Sequence, residues 1–291
     1  MTFPLTRDML RIMLNGNPDS DVWYDALVVI MPKYDIGTPK RIAGFISQCA
    51  HESSDFRRLE ENLNYSEAAL NTVFGRYFGN GRGKRNAKNY ARQPEKIANY
   101  VYMDKYRTKR GALGNIYEGD GWRFIGRGLK QLTGRNNYEA FGRTVGMTAE
   151  QAAEYVATPK GAVESACWFW DRAKLNRIAD KGDIVAMTKK INGGTIGLED
   201  RMNRWKKALA LFGAKESVTE SSVKSKKTSL KINRTLSIGS SGEDVKELQK
   251  ALGLRIDGYY GSNTKRAVKL FQMRNRLTPD GVAGPKTIEV L

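Results

Sequence analysis

Histidine and cysteine are almost missing from this chain: His51 is the one histidine among 291 residues, and Cys49 and Cys167 are the two cysteines. Two thiols are too few for a disulfide scaffold. With a single imidazole they cannot complete a usual zinc site of three or four ligands, so neither a metal nor another cofactor is expected. Long hydrophobic runs are missing as well. The longest, residues 26–31, is six residues long and is stopped by Pro32, whereas a membrane-spanning helix needs roughly 20 apolar residues. No stable membrane insertion is therefore expected. The opening MTFPLTRDMLRIMLNG carries charges inside its apolar stretch and has no small-residue cleavage site, so it does not read as a secretory signal. The protein is expected to stay in the cytoplasm in which it is made, or to leave by an unconventional route. Negative charge is also in short supply: 31 acidic residues face 49 basic ones, a net charge of +18. Such an excess implies a polyanionic partner, but nucleic acid, an anionic membrane face and a bacterial wall satisfy it equally.

What is present is an ordinary globular composition, 40% apolar and 27% charged, long enough for one large domain or two. The composition breaks once. AKESVTESSVKSKKTSLKINR, residues 214–234, has no aromatic residue, glycine or proline and reads as a solvated linker. The charge excess is spread over all three parts, +11 in residues 1–213, +4 in the linker and +3 in 235–291. After the linker an internal repeat stands out: Asp257-Gly258-x-x-Gly261-x-x-Thr264 recurs 23 residues later as Asp280-Gly281-x-x-Gly284-x-x-Thr287. Each copy joins an Asp-Gly turn to a threonine placed to cap the next helix. Val245, Leu248, Gln249 and Leu252 share one helical face, and Ala267, Val268, Leu270 and Phe271 continue the pattern. A small helical bundle follows. With Gly242, the Val-x-x-Leu-Gln of residues 245–249 and Ala267-Val268-x-x-Phe271-Gln272, the segment resembles the peptidoglycan-binding domain of bacterial and phage wall hydrolases.

The first 213 residues read as mostly helical. Thr38-Pro39 is a helix start, a cap followed by proline at the first helical position. Ile42, Phe45, Ile46 and Cys49 then form an apolar stripe, and Cys49 reads as a packing residue. Later helices are expected near 151–155, 161–175, 183–191 and 199–212, separated by glycine-rich breaks. On the first helix Glu52 falls about 70° from the centre of the stripe, at the edge of the core. Partial desolvation there is expected to raise its pKa, as a general acid requires. Nine residues on, Glu60 and Glu61 form a second carboxylate pair in Leu59-Glu60-Glu61-Asn62-Leu63-Asn64-Tyr65. Two carboxyls across a groove are the minimal apparatus of glycoside hydrolysis, although paired glutamates on exposed surfaces are common.

The residues around them narrow the choice. FISQCAHESSDFRRLEENLNYS, residues 45–66, resembles the catalytic segment of the chitinase-like glycoside hydrolase family 19 in its phage endolysin branch. Residues 126–138, GRGLKQLTGRNNY, resemble that family's second motif, and Ile191-Asn192-Gly193-Gly194 followed by Arg201 resembles the third. The resemblance implies a mainly α protein, a lysozyme-like helical catalytic domain over 1–213 and a small three-helix peptidoglycan-binding domain over 235–291. It implies Glu52 as general acid, Glu61 as general base and Thr133 as the hydroxyl that helps hold the attacking water, where the chitinases usually carry Ser. Gln131, Asn137 and Asn192 match sugar-binding positions, Arg201 a basic residue near the acid, and Tyr65 closes the base's motif. His51 beside Glu52 is a further substrate-side candidate, with a structural hydrogen bond as its plain alternative. Glu60 matches no catalytic position. An inverting mechanism would place the two carboxyls about 6.5–9.5 Å apart, against about 5–5.5 Å for retention.

The remaining features receive plainer readings. Trp168, Phe169 and Trp170 read as a core helix. Gly79-Asn80-Gly81-Arg82-Gly83-Lys84-Arg85 is one residue short of a phosphate loop and lacks the hydroxyl after its lysine. The basic stretch 76–92 reads as a solvated loop, with contact to anionic glycan or phosphate as its alternative. The expectation is an endolysin that hydrolyses the β-1,4 glycan backbone of peptidoglycan and lyses the host cell. It would be held in the host cytoplasm until a holin opens the membrane, act as a monomer, and use no nucleic acid. The alternatives are a chitinase and a non-catalytic wall-binding protein.

Overall fold

The computed structural model describes residues 3–213 and 232–291, apart from 253, 255, 275, 276 and 279. The chain is mainly helical, and among the described residues extended segments pair only through isolated bridges. Two compact units form, Met1–Ile191 with Gly197–Val218 and Thr219–Leu291 with Asn192–Ile196. Most of the stretch read as a linker, residues 214–231, lies outside the described residues.

The Pro39–Glu52 helix runs through the main core of the first unit. It begins as the sequence predicts: Thr38 Oγ1 accepts the Arg41 N–H at 3.4 Å, and Pro39 occupies the position whose N–H has no helical partner anyway. Ile42, Phe45, Ile46 and Cys49 are all buried to 2% exposure or less. Burial pushes the Cys49 thiol up to about 12, so it stays protonated and packs as an apolar group. Phe45 meets Trp170 edge to face at 5.6 Å, and Trp168 and Trp170 are core residues. Burying a side chain of this size contributes about 1.5–3 kcal/mol. The helix bearing these tryptophans spans Pro159–Arg172, because Thr158-Pro159 repeats the cap-and-proline start and Lys174, with φ 56°, turns the chain out. Apolar periodicity alone had shifted it two to three residues along. The Leu198–Leu211 helix packs beside Pro39–Glu52 and completes the main core.

Two smaller cores flank the first. Leu63, Leu70, Phe78, Ile97, Tyr100, Val101 and Ile125 form one, and Phe124, Tyr138, Phe141, Val156 and Trp168 the other. Between them run the two motif segments, paired backbone to backbone. Glu61 N–H donates to Gly126 O at 3.0 Å, Gly128 N–H to Leu59 O at 2.7 Å, and Leu132 N–H to Arg127 O at 2.8 Å.

The second unit holds the helices Glu243–Ala251, Ser262–Arg274 and Pro285–Val290 around Leu236, Val245, Leu248, Tyr260, Val268 and Ala283. Ile232 belongs to this core, and Arg234 pairs with Asp244 at 2.6 Å. The folded unit therefore starts before residue 234, where composition placed the end of the linker. The side chain of Leu270 lies outside the described residues. The repeat has a different logic from the one its threonines suggest. Thr264 and Thr287 sit inside their helices, buried, and are not caps. Each accepts a hydrogen bond from a glutamine 15 residues earlier, Gln249 at 3.2 Å and Gln272 at 3.1 Å. The same amides bond Asp257 and Asp280 at 2.7 and 2.8 Å, and their oxygens take the N–H of Gly258 and Gly281, both at 2.9 Å. Gly258 and Gly281 have φ of +70° and +75°, the left-handed region a side chain would strain. One buried amide thus ties each Asp-Gly turn to its helix, with its polar atoms satisfied.

Candidate active site

Glu52 ends the Pro39–Glu52 helix and turns its carboxylate toward two cations. Arg201 Nη2 lies 2.5 Å from Glu52 Oε1, and Lys130 Nζ lies 3.5 Å from the same oxygen. Arg201 is 2% exposed. Its Nη1 donates to Gln48 Oε1 at 2.5 Å, and Gln48 Nε2 donates to Thr188 Oγ1 at 3.1 Å, so the guanidinium is held by the helix that carries Glu52. Its Nε has no protein partner. Lys130 is fixed on its other side by the Phe169 ring, 5.2 Å from the centroid.

These cations reverse the expectation drawn from the helix face. Desolvation is the largest single influence on Glu52 and raises its pKa, but Lys130, Arg201 and His51 together outweigh it and hold the carboxyl below its ordinary value. Its helical position correctly places Glu52 at the core's edge. Of the charges that reach it, His51 is its helix neighbour, whereas Lys130 and Arg201 come from other elements.

Glu61 stands in a different setting. Gly126 N–H donates to its Oε1 and Tyr102 O–H to its Oε2, both at 2.6 Å. Burial first, and then the Glu61 charge, push the Tyr102 phenol far above its usual range, so it remains a donor. Gly126 lies where the side chains of the site meet. A Cβ there would lie 2.8 Å from Gln131 Oε1, 3.1 Å from Thr133 Oγ1 and 3.3 Å from Glu61 Oε1. Three candidate side chains thus converge on one bare stretch of backbone. The turn that delivers them is tight: Gln131 has φ 52°, its Nε2 donates to Gly128 O at 3.2 Å, and Thr133 O–H donates to Gln131 O at 2.9 Å. Lys130 directly precedes Gln131 in the chain and reaches Glu52, so the loop 126–133 lines both carboxylates.

The other candidates are spread more widely. Asn137 is exposed and donates to Thr133 O at 2.8 Å, which fixes it next to the loop. Asn192 is engaged within its own turn, donating to Ile196 O at 3.0 Å and accepting from Gly194 N–H at 2.9 Å. Tyr65 is half-buried with its ring edge-on to Phe74 at 5.3 Å. His51 Nδ1 lies 2.6 Å from Asp200 Oδ2, and the far side of its ring packs on Gly197, where a Cβ would come within 2.3 Å. The hydrogen bond from His51 and the Arg204 guanidinium hold Asp200 well below the usual carboxylate range, and Arg204 also pairs with Asp55. This chain of charges supports the structural reading of His51. Glu60 is 48% exposed and pairs with Arg127 at 2.7 Å. Among the described residues, no three His, Cys, Asp or Glu side chains cluster as metal ligands would.

Lys130, Tyr102 and Asp200 escape a reading of the sequence. Lys130 is inside a motif and Asp200 adjoins Arg201, but nothing local marks either as a partner of Glu52 or His51. Tyr102 is 41 residues from Glu61.

Over 180 residues the chain is 37% identical to a glycosyl hydrolase family 19 domain-containing protein of Haemophilus influenzae, a match covering 61% of this chain and 83% of that one. Residues 241–291 match the family model of a peptidoglycan binding domain. Over 89 residues the chain is 37% identical to a spore cortex-lytic enzyme of Bacillus cereus, covering 28% of this chain and 34% of that one. Among solved structures, chitinase C from Streptomyces griseus aligns with a TM-score of 0.49 at 17% identity, over 74% of this chain and 78% of that one.

Proposed function

The chain belongs to glycosyl hydrolase family 19, and on that premise we propose that it cleaves the β-1,4 glycan backbone of bacterial peptidoglycan by inversion, with Glu61 as general base and Glu52 as general acid. The observation that carries this reading is the loop 126–133, which brings Gln131, Thr133 and Lys130 onto the two carboxylates. Glu61 receives two hydrogen bonds, one on each oxygen, and these fix the orientation of its carboxyl group. It takes a proton from water as that water attacks the anomeric carbon, with the Thr133 hydroxyl beside it. Glu52 gives its proton to the departing glycosidic oxygen. At rest the cations keep Glu52 ionised, so it must be loaded with a proton first. A glycan in the cleft strips water from a carboxyl whose largest influence is already desolvation, and this raises its proton affinity in the bound state.

Glu52→Gln and Glu61→Gln, assayed for release of reducing ends from purified sacculi, are each expected to lose roughly 100-fold to 10,000-fold in rate. Full activity of Glu52→Gln would remove the acid assignment. Inversion is read from the anomer first formed, an α product from a β bond, and a β product would overturn it. Reducing-end analysis assigns the cut to muramic acid or glucosamine, and turnover of chitin oligosaccharides at the rate of peptidoglycan would favour the chitinase reading.

The role in the cell extends the same reading. We place the protein as a phage-type endolysin, a monomer that waits in the host cytoplasm for holin-dependent access to the wall and is drawn there by its +18 charge. Expression with and without a holin tests this, and lysis that does not depend on the holin would contradict it.

A further inference from the structure

Apart from the two carboxylates, the first unit carries a shallow cavity of about 550 Å³ at the start of the Pro94–Val101 helix, lined among others by Tyr90, Gln93, Lys96, Tyr100 and Tyr106. The three tyrosines form one aromatic cluster, Tyr90 to Tyr100 at 5.4 Å and Tyr100 to Tyr106 at 4.6 Å between centroids. Tyr100 is buried and anchors the cluster in the second core, whereas Tyr106 stands 36% exposed. Each ring carries a cation: Lys96 Nζ 4.9 Å from Tyr90, Lys105 Nζ 5.1 Å from Tyr106, and Arg85 Cζ 5.8 Å from Tyr100. Among the described residues none of the three is paired with a carboxylate. Glu95 is the one acid in the lining. Asn99 accepts the Trp122 N–H at 2.8 Å, which leaves its NH2 group for the cavity side.

Aromatic faces beside amides suit a sugar ring, and cations on those rings that no carboxylate holds, Lys96 in the lining and Lys105 and Arg85 outside it, suit a sugar that bears carboxylates. Peptidoglycan and chitin share N-acetylglucosamine, but peptidoglycan alone has lactyl-linked peptide stems ending in carboxylates. We propose that this tyrosine and lysine cavity is a second glycan site, which takes a carboxylate-bearing stretch of the peptidoglycan strand and makes the enzyme favour wall over chitin. The inference rests on the peptidoglycan reading. Its position fits such a role: Tyr100 lines the cavity, and Tyr102, two residues on, holds Glu61. The three cationic side chains are exposed, and Lys96 Nζ also donates to Asn89 O at 2.7 Å, a bond that an incoming carboxylate would compete with.

The test uses the full chain and the triple variant Arg85→Gln, Lys96→Gln, Lys105→Gln, which changes exposed charges and leaves the tyrosine core alone. On native sacculi at low substrate the variant is expected to be roughly fivefold to tenfold slower, through KM with kcat unchanged. On sacculi whose stem carboxylates have been amidated, wild type is expected to fall to the variant's rate. Equal rates of variant and wild type on native sacculi, with Glu52→Gln inactive, would overturn the site while leaving the hydrolase reading intact. A loss in the variant that is just as large on amidated sacculi would also overturn it, because the cations would not be reading carboxylates. Activity in Glu52→Gln would mark failure of the hydrolase reading itself.

Discussion

The two glutamates on which the proposed reaction depends are nine residues apart in sequence, yet they occupy opposite kinds of surroundings. Glu61 is held by neutral donors, a backbone N–H and a phenol, which orient the carboxylate without adding charge. Glu52 is held by full cations, an ammonium and a buried guanidinium, which keep it ionised against the pull of burial. Neutral hydrogen bonds hold the proposed base in place without adding charge. Cations restrain an acid that must acquire a proton before it can act, and they make that step depend on what enters the cleft. The same contrast predicts how variants on the two sides will differ.

The largest effect is expected at Arg201. Arg201→Met leaves Gln48 Oε1 without its donor and Glu52 with Lys130 alone, in a site where the guanidinium is 2% exposed. Removing one partner of a buried pair costs about 3–5 kcal/mol. Chemical denaturation measures this, and Arg201→Lys is expected to recover only part of it because an ammonium cannot reach both oxygens as a fork does. On the neutral side, Tyr102→Phe removes one of Glu61's two donors. About 1.5–3 kcal/mol is expected from a hydrogen bond to a charged group, and a tenfold loss in kcat on sacculi corresponds to the lower end of that range. If Tyr102→Phe proved as damaging as Arg201→Met, the contrast between the two surroundings would lose its meaning.

Lys130 tests the contrast through pH. With Lys130→Met the restraint on Glu52 weakens and its pKa rises, so the limb of the kcat/KM profile that belongs to Glu52 is expected to move to higher pH. In wild type the folded-state pKa of Glu52 is depressed. Its contribution to stability is therefore present above the unfolded value, about 4.3, and is lost as pH falls through the folded one. Glu52→Gln is accordingly expected to flatten the acid end of the stability profile, and an unchanged slope would show that the cations exert no net hold.

The fold was legible wherever its cause is local. The caps at Thr38 and the stripe from Ile42 to Cys49 lie within a few residues of what they determine, and the core follows from them. The candidate site was half legible. Glu52, Glu61, Gln131 and Thr133 stand in motifs with fixed spacing, and the structure gathers the last three around Gly126. What the sequence hid is the electrostatics. The sequence places Arg201 near the acid, but the sign of the Glu52 shift depends first on Lys130, which also packs on Phe169, and then on Arg201. Likewise the threonines of the Asp-Gly repeat look like caps until the buried glutamines are seen to claim them.

The smallest effect separates Glu61 from its neighbour. Glu60 and Glu61 are adjacent and chemically identical, and both lie against the second motif, Glu60 through the Arg127 side chain and Glu61 through the backbone of Gly126. Glu60 is 48% exposed, so its ion pair with Arg127 is screened by water and is worth about 0–1 kcal/mol. Alternation along an extended segment turns one carboxylate outward and the other toward Tyr102. Glu60→Gln is therefore expected to leave kcat on sacculi unchanged and to shift the denaturation midpoint barely measurably, with added salt erasing what difference remains. A large loss of activity in Glu60→Gln with normal stability would show that the outward carboxylate takes part in the reaction, and the assignment of the base to Glu61 would fall with it.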